Sequence, residues 1–135
     1  MNKLINISEA TSIAIHSLAI IARKEELINA QHISKITGFS KNHISKILQI
    51  LVKQSLIAST RGPKGGFKTL RDVNKISLLD IYELFDGRIS VDYCHHHKEI
   101  CPFDNCDISS IIDELTNSFI EKFSSKTIGD LHFDF

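Results

Sequence analysis

Residues 29–53 read NAQHISKITGFSKNHISKILQILVK, and this stretch decides the fold. Asn29 is suited to cap a helix over Ala30 to Thr37, because its side-chain oxygen can accept from an orphan amide of the first turn. Ile33 and Ile36 would point inward, and Gly38 supplies a left-handed stop. Ser40 repeats the capping signal for a second helix from Lys41 to about Lys53, where Ile44, Ile47, Leu48 and Leu51 recur at the spacing of one buried face. Two short helices joined by a glycine-containing turn predict a helix-turn-helix. Lys41, Asn42, His43, Ser45 and Lys46 stay off the apolar face beside Ser40, so groups suited to phosphates and base edges gather at the start of the second helix. The N-terminus of that helix favours a nearby phosphate as well.

Outward from there, Leu56 to Thr60 reads as a short strand, Arg61-Gly62-Pro63-Lys64-Gly65-Gly66 as a tight turn, and Phe67 to Leu70 as the returning strand. A basic, glycine-rich hairpin directly after a helix-turn-helix is a wing. Arg61 at its base is placed to enter a minor groove, where negative potential attracts arginine. With Lys64, Gly65 and Gly66 it completes the expected DNA-facing set. On the N-terminal side, Ser8 is a cap and Glu9 a first-turn acid for a helix ending near Arg23 to Glu26. Ala10, Ile13, Ala14, Ser17, Ile20 and Ile21 line one face of it, and Ile15, Leu18, Ala19 and Ala22 a second, the pattern of a central helix touching two layers.

Charge supports the same reading. The formal net charge is zero, with 16 basic and 16 acidic residues. Yet no Asp or Glu occurs from His32 to Arg71, while Lys35, Lys41, Lys46, Lys53, Arg61, Lys64, Lys68 and Arg71 all do. From Asp80 onward the chain is mainly acidic. Such segregation points to a polyanion partner for the first half.

The second chemical feature is Tyr93 to Cys106, YCHHHKEICPFDNC, which holds all three cysteines of the chain (Cys94, Cys101 and Cys106) and the run His95, His96 and His97. Clustered thiolate and imidazole donors are what a zinc or iron site requires. The stretch has no apolar periodicity, and an odd number of cysteines is a poor disulfide framework. The bland alternative is a solvated loop with ordinary thiols. The segment is preceded by a short helix that Ser77 would cap, with Asp80 three residues on in a capping-box arrangement and Gly87 as its stop. It is followed by a long amphipathic helix with Ile111, Ile112, Leu115, Phe119, Ile120 and Phe123 on its stripe and Asp107 as expected cap. A stripe outside a compact winged helix needs a partner surface: a second copy of the chain, or the first helix of its own chain. Thr127 to Phe133 is expected to form a last short turn.

The expected organisation is therefore mainly α, with a DNA-binding winged helix-turn-helix over 1–87, a Cys/His cluster-binding loop over 88–107, and a dimerisation helix with a C-terminal tail over 108–135. A chain of 135 residues suits one domain or one small domain with an appended helix. No secretory signal is visible, and no stretch approaches the ~18 apolar residues that span a bilayer. Thiols beside histidines fit a reducing cytosol. No Ser-His-Asp order, paired carboxylates or phosphate-cradling loop is evident, and the Gly65-Gly66 pair opens a strand rather than a helix, so an enzyme is not expected.

The chain resembles the bacterial winged-helix repressors that carry an iron–sulfur cluster, the group containing IscR and NsrR, over nearly its whole length. Arg61 to Phe67 is close to that family's wing, and Ser40 to Ile47 is most similar to the recognition helix of NsrR-like members. The three cysteines occupy the family's cluster loop, with six residues between Cys94 and Cys101 and four between Cys101 and Cys106, a slight departure from the common spacings. An IscR-like fourth ligand would be a His three residues after the last cysteine, where this chain has Ser109. NsrR-like members take an acid from the first helix of the partner subunit, and Glu9 stands at that place. One of His95, His96 and His97 is the weaker candidate. The resemblance implies a homodimeric DNA-binding repressor whose cluster, [4Fe–4S] before [2Fe–2S], senses nitric oxide or redox and iron status. The alternatives are a regulator of iron–sulfur assembly or iron uptake, and a zinc- or heme-binding module with no DNA role.

Overall fold

The three-helix core forms where its capping signals are. In the computed structural model, which describes residues 1–91, 94, 101–103 and 106–134, helix α1 (Glu9–Arg23) opens on Ser8, whose hydroxyl accepts from the Thr11 amide at 3.2 Å. Helix α2 (Ala30–Thr37) opens on Asn29, which accepts from the His32 amide at 2.9 Å, and stops at Gly38, held at φ +80° where a side chain would be strained. Helix α3 (Lys41–Lys53) opens on Ser40 and buries Ile44, Ile47, Leu48 and Leu51. Ile13, Ala14, Leu18, Ile20 and Ile21 of α1 belong to the same apolar cluster, so α1 is the central element. Fully burying one such Ile or Leu stabilises the fold by ~1.5–3 kcal/mol.

The wing is an antiparallel pair, β1 (Ile57–Thr60) and β2 (Gly66–Thr69), with Ile57 opposite Thr69 and Thr60 opposite Gly66. Leu56 and Leu70 lie just outside the two strands, still joined by the Leu70 amide to the Leu56 carbonyl at 3.0 Å. Beyond the expected hairpin, the connection between α1 and α2 bridges to β2. The Phe67 amide donates to the Ile28 carbonyl at 2.8 Å. Gly66 is buried at this crossing, where a Cβ would lie 2.8 Å from the Ile28 backbone. The wing is thereby stitched to the entrance of the helix-turn-helix.

A 3-10 turn (Val73–Lys75) leads to helix α4 (Leu78–Asp86), which begins with the expected capping box: the Asp80 amide donates to Ser77 Oγ and the Ser77 amide to the Asp80 carboxylate, each at 3.0 Å. Helix α5 (Asp107–Ser125) starts at the residue expected to cap it, one residue earlier than predicted. The cap is Cys106, whose sulfur accepts from the Ser109 amide at 3.4 Å, and Asp107 is the first helical residue, an acid suited to the positive helix end. The principal neighbour of α5 is α4. Tyr82 meets Phe119 and Phe123 edge-on at 5.2 and 6.1 Å, and those two rings stack at 4.2 Å.

After α5 the chain returns to the core. A 3-10 turn (Ile128–Asp130) follows the bridge between Ser77 and Thr127, and the Ile128 amide donates to the Ile76 carbonyl at 2.9 Å. Arg23, at the end of α1, donates to the carbonyls of Leu131 and Phe133 at 2.7 and 2.9 Å and lies 4.7 Å over the Phe133 ring. Among the described residues no helix is long and apolar enough to cross a membrane.

Candidate functional site

The start of α3 is built as an exposed, polar head on a buried rod. Ile44, Ile47 and Leu48 anchor the helix in the core, which leaves Ser40, Lys41, Asn42 and Lys46 exposed and His43 and Ser45 partly so. Ser40 accepts from the His43 amide at 3.5 Å, a long cap bond. The wing presents Arg61 and Lys64 exposed at its turn, with Gly65 partly buried and Gly66 buried. Between wing, α2 and α3 lies an open cleft of about 490 Å³, in which Lys41 of the helix and Arg61 of the wing face one space. Asn29, Gln31 and Gln49 line it too. The two glutamines were not among the expected contacts. They carry neither charge nor motif, and their place on this cleft follows from the folding of α2 and α3 against the wing.

This face can do what a nucleic-acid surface must. Flexible cations answer phosphate charge, Asn and Gln amides can pair with base edges, and a narrow hairpin can track the backbone. One acid is brought to it: the Glu9 carboxylate lies 3.6 Å from His43 Nδ1, with both side chains substantially exposed. An exposed pair of this kind contributes at most ~1 kcal/mol.

The cysteine segment joins α4 to α5. Cys94 and Cys106 are exposed and Cys101 partly so, and all three sulfurs are thiols. By chemistry this set fits an iron–sulfur cluster, whose irons are held by thiolates, and its exposure fits a group that meets small molecules from solvent. Among the described residues no three Cys, His, Asp or Glu side chains are gathered as a metal-holding group. His95, His96 and His97 lie outside the described residues. Glu9 stands at the exposed first turn of α1, paired with His43 of its own chain. Cys106, a candidate ligand, also caps α5.

Comparison with known proteins places the chain among transcriptional regulators. The family model described as "Rrf2: Iron-dependent Transcriptional regulator" matches residues 7–134. Protein aau3 of Rhizobium meliloti is 29% identical over 93% of this chain and 83% of its own length. The HTH-type transcriptional regulator NsrR of Oceanobacillus iheyensis is 24% identical over 93% of this chain and 88% of its own. Among solved structures, that of CymR, the global cysteine regulator of B. subtilis, superposes with a TM-score of 0.78 at 19% identity, covering 94% of this chain and 95% of that one. At that identity the likeness concerns the fold.

Proposed function

Because this chain belongs to the Rrf2 family of transcriptional regulators, we propose that it is a homodimeric, cytoplasmic DNA-binding repressor that reports the state of its cysteine segment to an operator. The observation that carries the reading is the pairing of an exposed α3 start with a basic wing across one cleft, on a stretch from His32 to Arg71 that contains no carboxylate. In this reading Ser40, Lys41, Asn42, His43, Ser45 and Lys46 meet a major groove. Arg61 and Lys64 meet the adjacent backbone and minor groove, while Gly65 and Gly66 permit the tight turn and the crossing with Ile28 that present them. Cys94, Cys101 and Cys106 would hold an iron–sulfur cluster, with Glu9 of the partner subunit as fourth ligand and the histidine run as the lesser candidate. A bound cluster would supply iron open to nitric oxide. An oxygen ligand is a weaker donor than sulfur, so a site completed by Glu9 suits a group that is readily displaced.

A second reading takes iron supply as the signal, and the family's own description as iron-dependent favours it. One preparation separates the two. The full chain is purified without oxygen, iron and sulfide are assayed, and operator binding is followed by gel shift during titration with nitric oxide and, separately, with an iron chelator. Release from the operator by nitric oxide at constant iron supports the first reading, and release by chelation alone supports the second. A colourless, iron-free protein that binds its operator identically with all three cysteines changed to alanine overturns both.

A further inference from the structure

The end of α4 is locked to the start of α1 by one carboxylate. Asp86 is the last residue of α4, and Gly87, at φ +93°, turns the chain into the segment that carries the cysteines. Asp86 Oδ2 accepts from the Thr11 hydroxyl at 2.6 Å, from the Ser8 hydroxyl at 3.1 Å and from the Ser8 amide at 3.3 Å. Thr11 is fully buried, so its hydroxyl has no water to turn to. Bonds to an ionised acceptor are stronger than neutral ones, and a carboxylate at a helix N-terminus also meets the positive end of the dipole. Ser8 is spent twice, because its oxygen also accepts from the Thr11 amide as the α1 cap.

What lies on the far side of this lock is the reading head. Glu9 follows Ser8 directly, and its carboxylate lies 3.6 Å from His43 in the first turn of α3. From cysteine segment to recognition helix the contacts thus run through Asp86, Ser8 and Thr11, Glu9 and His43. Asp86 is the residue at which the cysteine segment leaves α4. We infer that Asp86 is a positioning residue that fixes the first turn of α1, and with it Glu9 and the head of α3, relative to the root of the cysteine segment, so that a change in that segment is felt at the DNA-reading surface. The inference rests on the regulator reading above.

The test measures transmission rather than binding alone. Operator affinity is determined for the full chain and for its triple Cys94, Cys101 and Cys106→Ala form, first with Asp86 intact and then in Asp86→Ala, Asp86→Asn and Thr11→Val backgrounds. The ratio of the two affinities reports how strongly the segment speaks to the reading head, and regulatory couplings typically amount to ~5–150-fold. With Asp86 intact the expected ratio is about fivefold or more. In Asp86→Ala and in Thr11→Val, which keeps the buried volume and removes the donor, it falls below about twofold. Asp86→Asn keeps an oxygen acceptor and recovers much of the ratio. Amide hydrogen exchange of metal-free protein gives a second readout: exchange at residues 9–12 accelerates in Asp86→Ala, and slowly exchanging amides of α3 confirm that the variant is folded. A ratio that stays above fivefold in both Asp86→Ala and Thr11→Val assigns Asp86 a capping role and overturns this inference alone. A ratio of one in the protein with Asp86 intact overturns it together with the functional reading.

Discussion

Asn42 and Lys46 lie four residues apart on the exposed head of α3, and they test different parts of recognition. Asn42 offers an amide that can pair with a base edge, so Asn42→Ala should cost ~1–3 kcal/mol on the preferred operator and much less on unrelated sequence. Lys46 offers a mobile charge, so Lys46→Ala should weaken binding to all sequences alike and lower the dependence on log salt by about one. A gel shift on specific and scrambled duplexes at several salt concentrations distinguishes them; identical behaviour of the two variants would remove the assignment of α3 as the reading helix. A residue of the opposite kind is Ser17, fully buried in α1 with a hydroxyl that finds no hydrogen-bond partner among the described residues. An unmade bond at a buried polar atom costs ~1–3 kcal/mol. Ser17→Ala removes that atom with little loss of volume, so the urea midpoint should rise, by about 1 kcal/mol of stability. A fall in the midpoint would mean that the hydroxyl has a partner in solution.

Elements with local signals are those that the sequence makes legible. Ser8, Asn29, Ser40 and Ser77 each accept from an amide three residues on, a bond that needs no knowledge of the rest of the chain, and their helices begin as the spacing predicts. Cys106 escapes the same reasoning because sulfur is a weak acceptor and Asp107 beside it is the stronger capping candidate. What joins the elements has no local signal at all. The Thr11 hydroxyl meets a carboxylate 75 residues away, and Arg23 meets the Leu131 carbonyl 108 residues away. The last turn, by contrast, is held by a local bond. The Thr127 amide donates to Asp130 at 2.9 Å, and that bond above all, then the Thr127 hydroxyl and the positive charges of Lys126 and His132, holds the Asp130 carboxyl below its ordinary value of 3.8. A carboxyl with a lowered folded pKa stabilises the fold above its unfolded pKa, and that contribution disappears as pH falls through the folded value. The urea midpoints of the protein and of Asp130→Asn should therefore differ at neutral pH and converge below about pH 3.8 as the native carboxyl takes up its proton. A gap that widens on acidification would contradict this linkage.

At the scale of the molecule the unfinished surface is α5. Its inner side is closed by Tyr82, Phe119 and Phe123, but Ile108, Ile111 and Leu115 are 62, 56 and 51% exposed along one stripe. Three large apolar side chains in a row on a helix are costly to leave in water, and a two-fold axis through this stripe would cover each copy with the other. Such a dimer also answers a demand of the DNA. Paired reading heads must reach successive major-groove faces ~34 Å apart, and the second head binds with an effective concentration that raises affinity by ~100–10,000-fold over one head alone. Leu115→Asp places a charge at the stripe without touching the core of the reading unit, whose buried residues lie on other elements. It should convert a dimer to a monomer in analytical ultracentrifugation, reduce affinity for a full operator by at least about 100-fold, and leave binding to an isolated half-site within about twofold. The half-site measurement is decisive, since a misfolded variant loses both affinities together. A variant that remains dimeric and keeps its full-operator affinity would place the two-fold axis on another face, and the exposed stripe would then await a different partner.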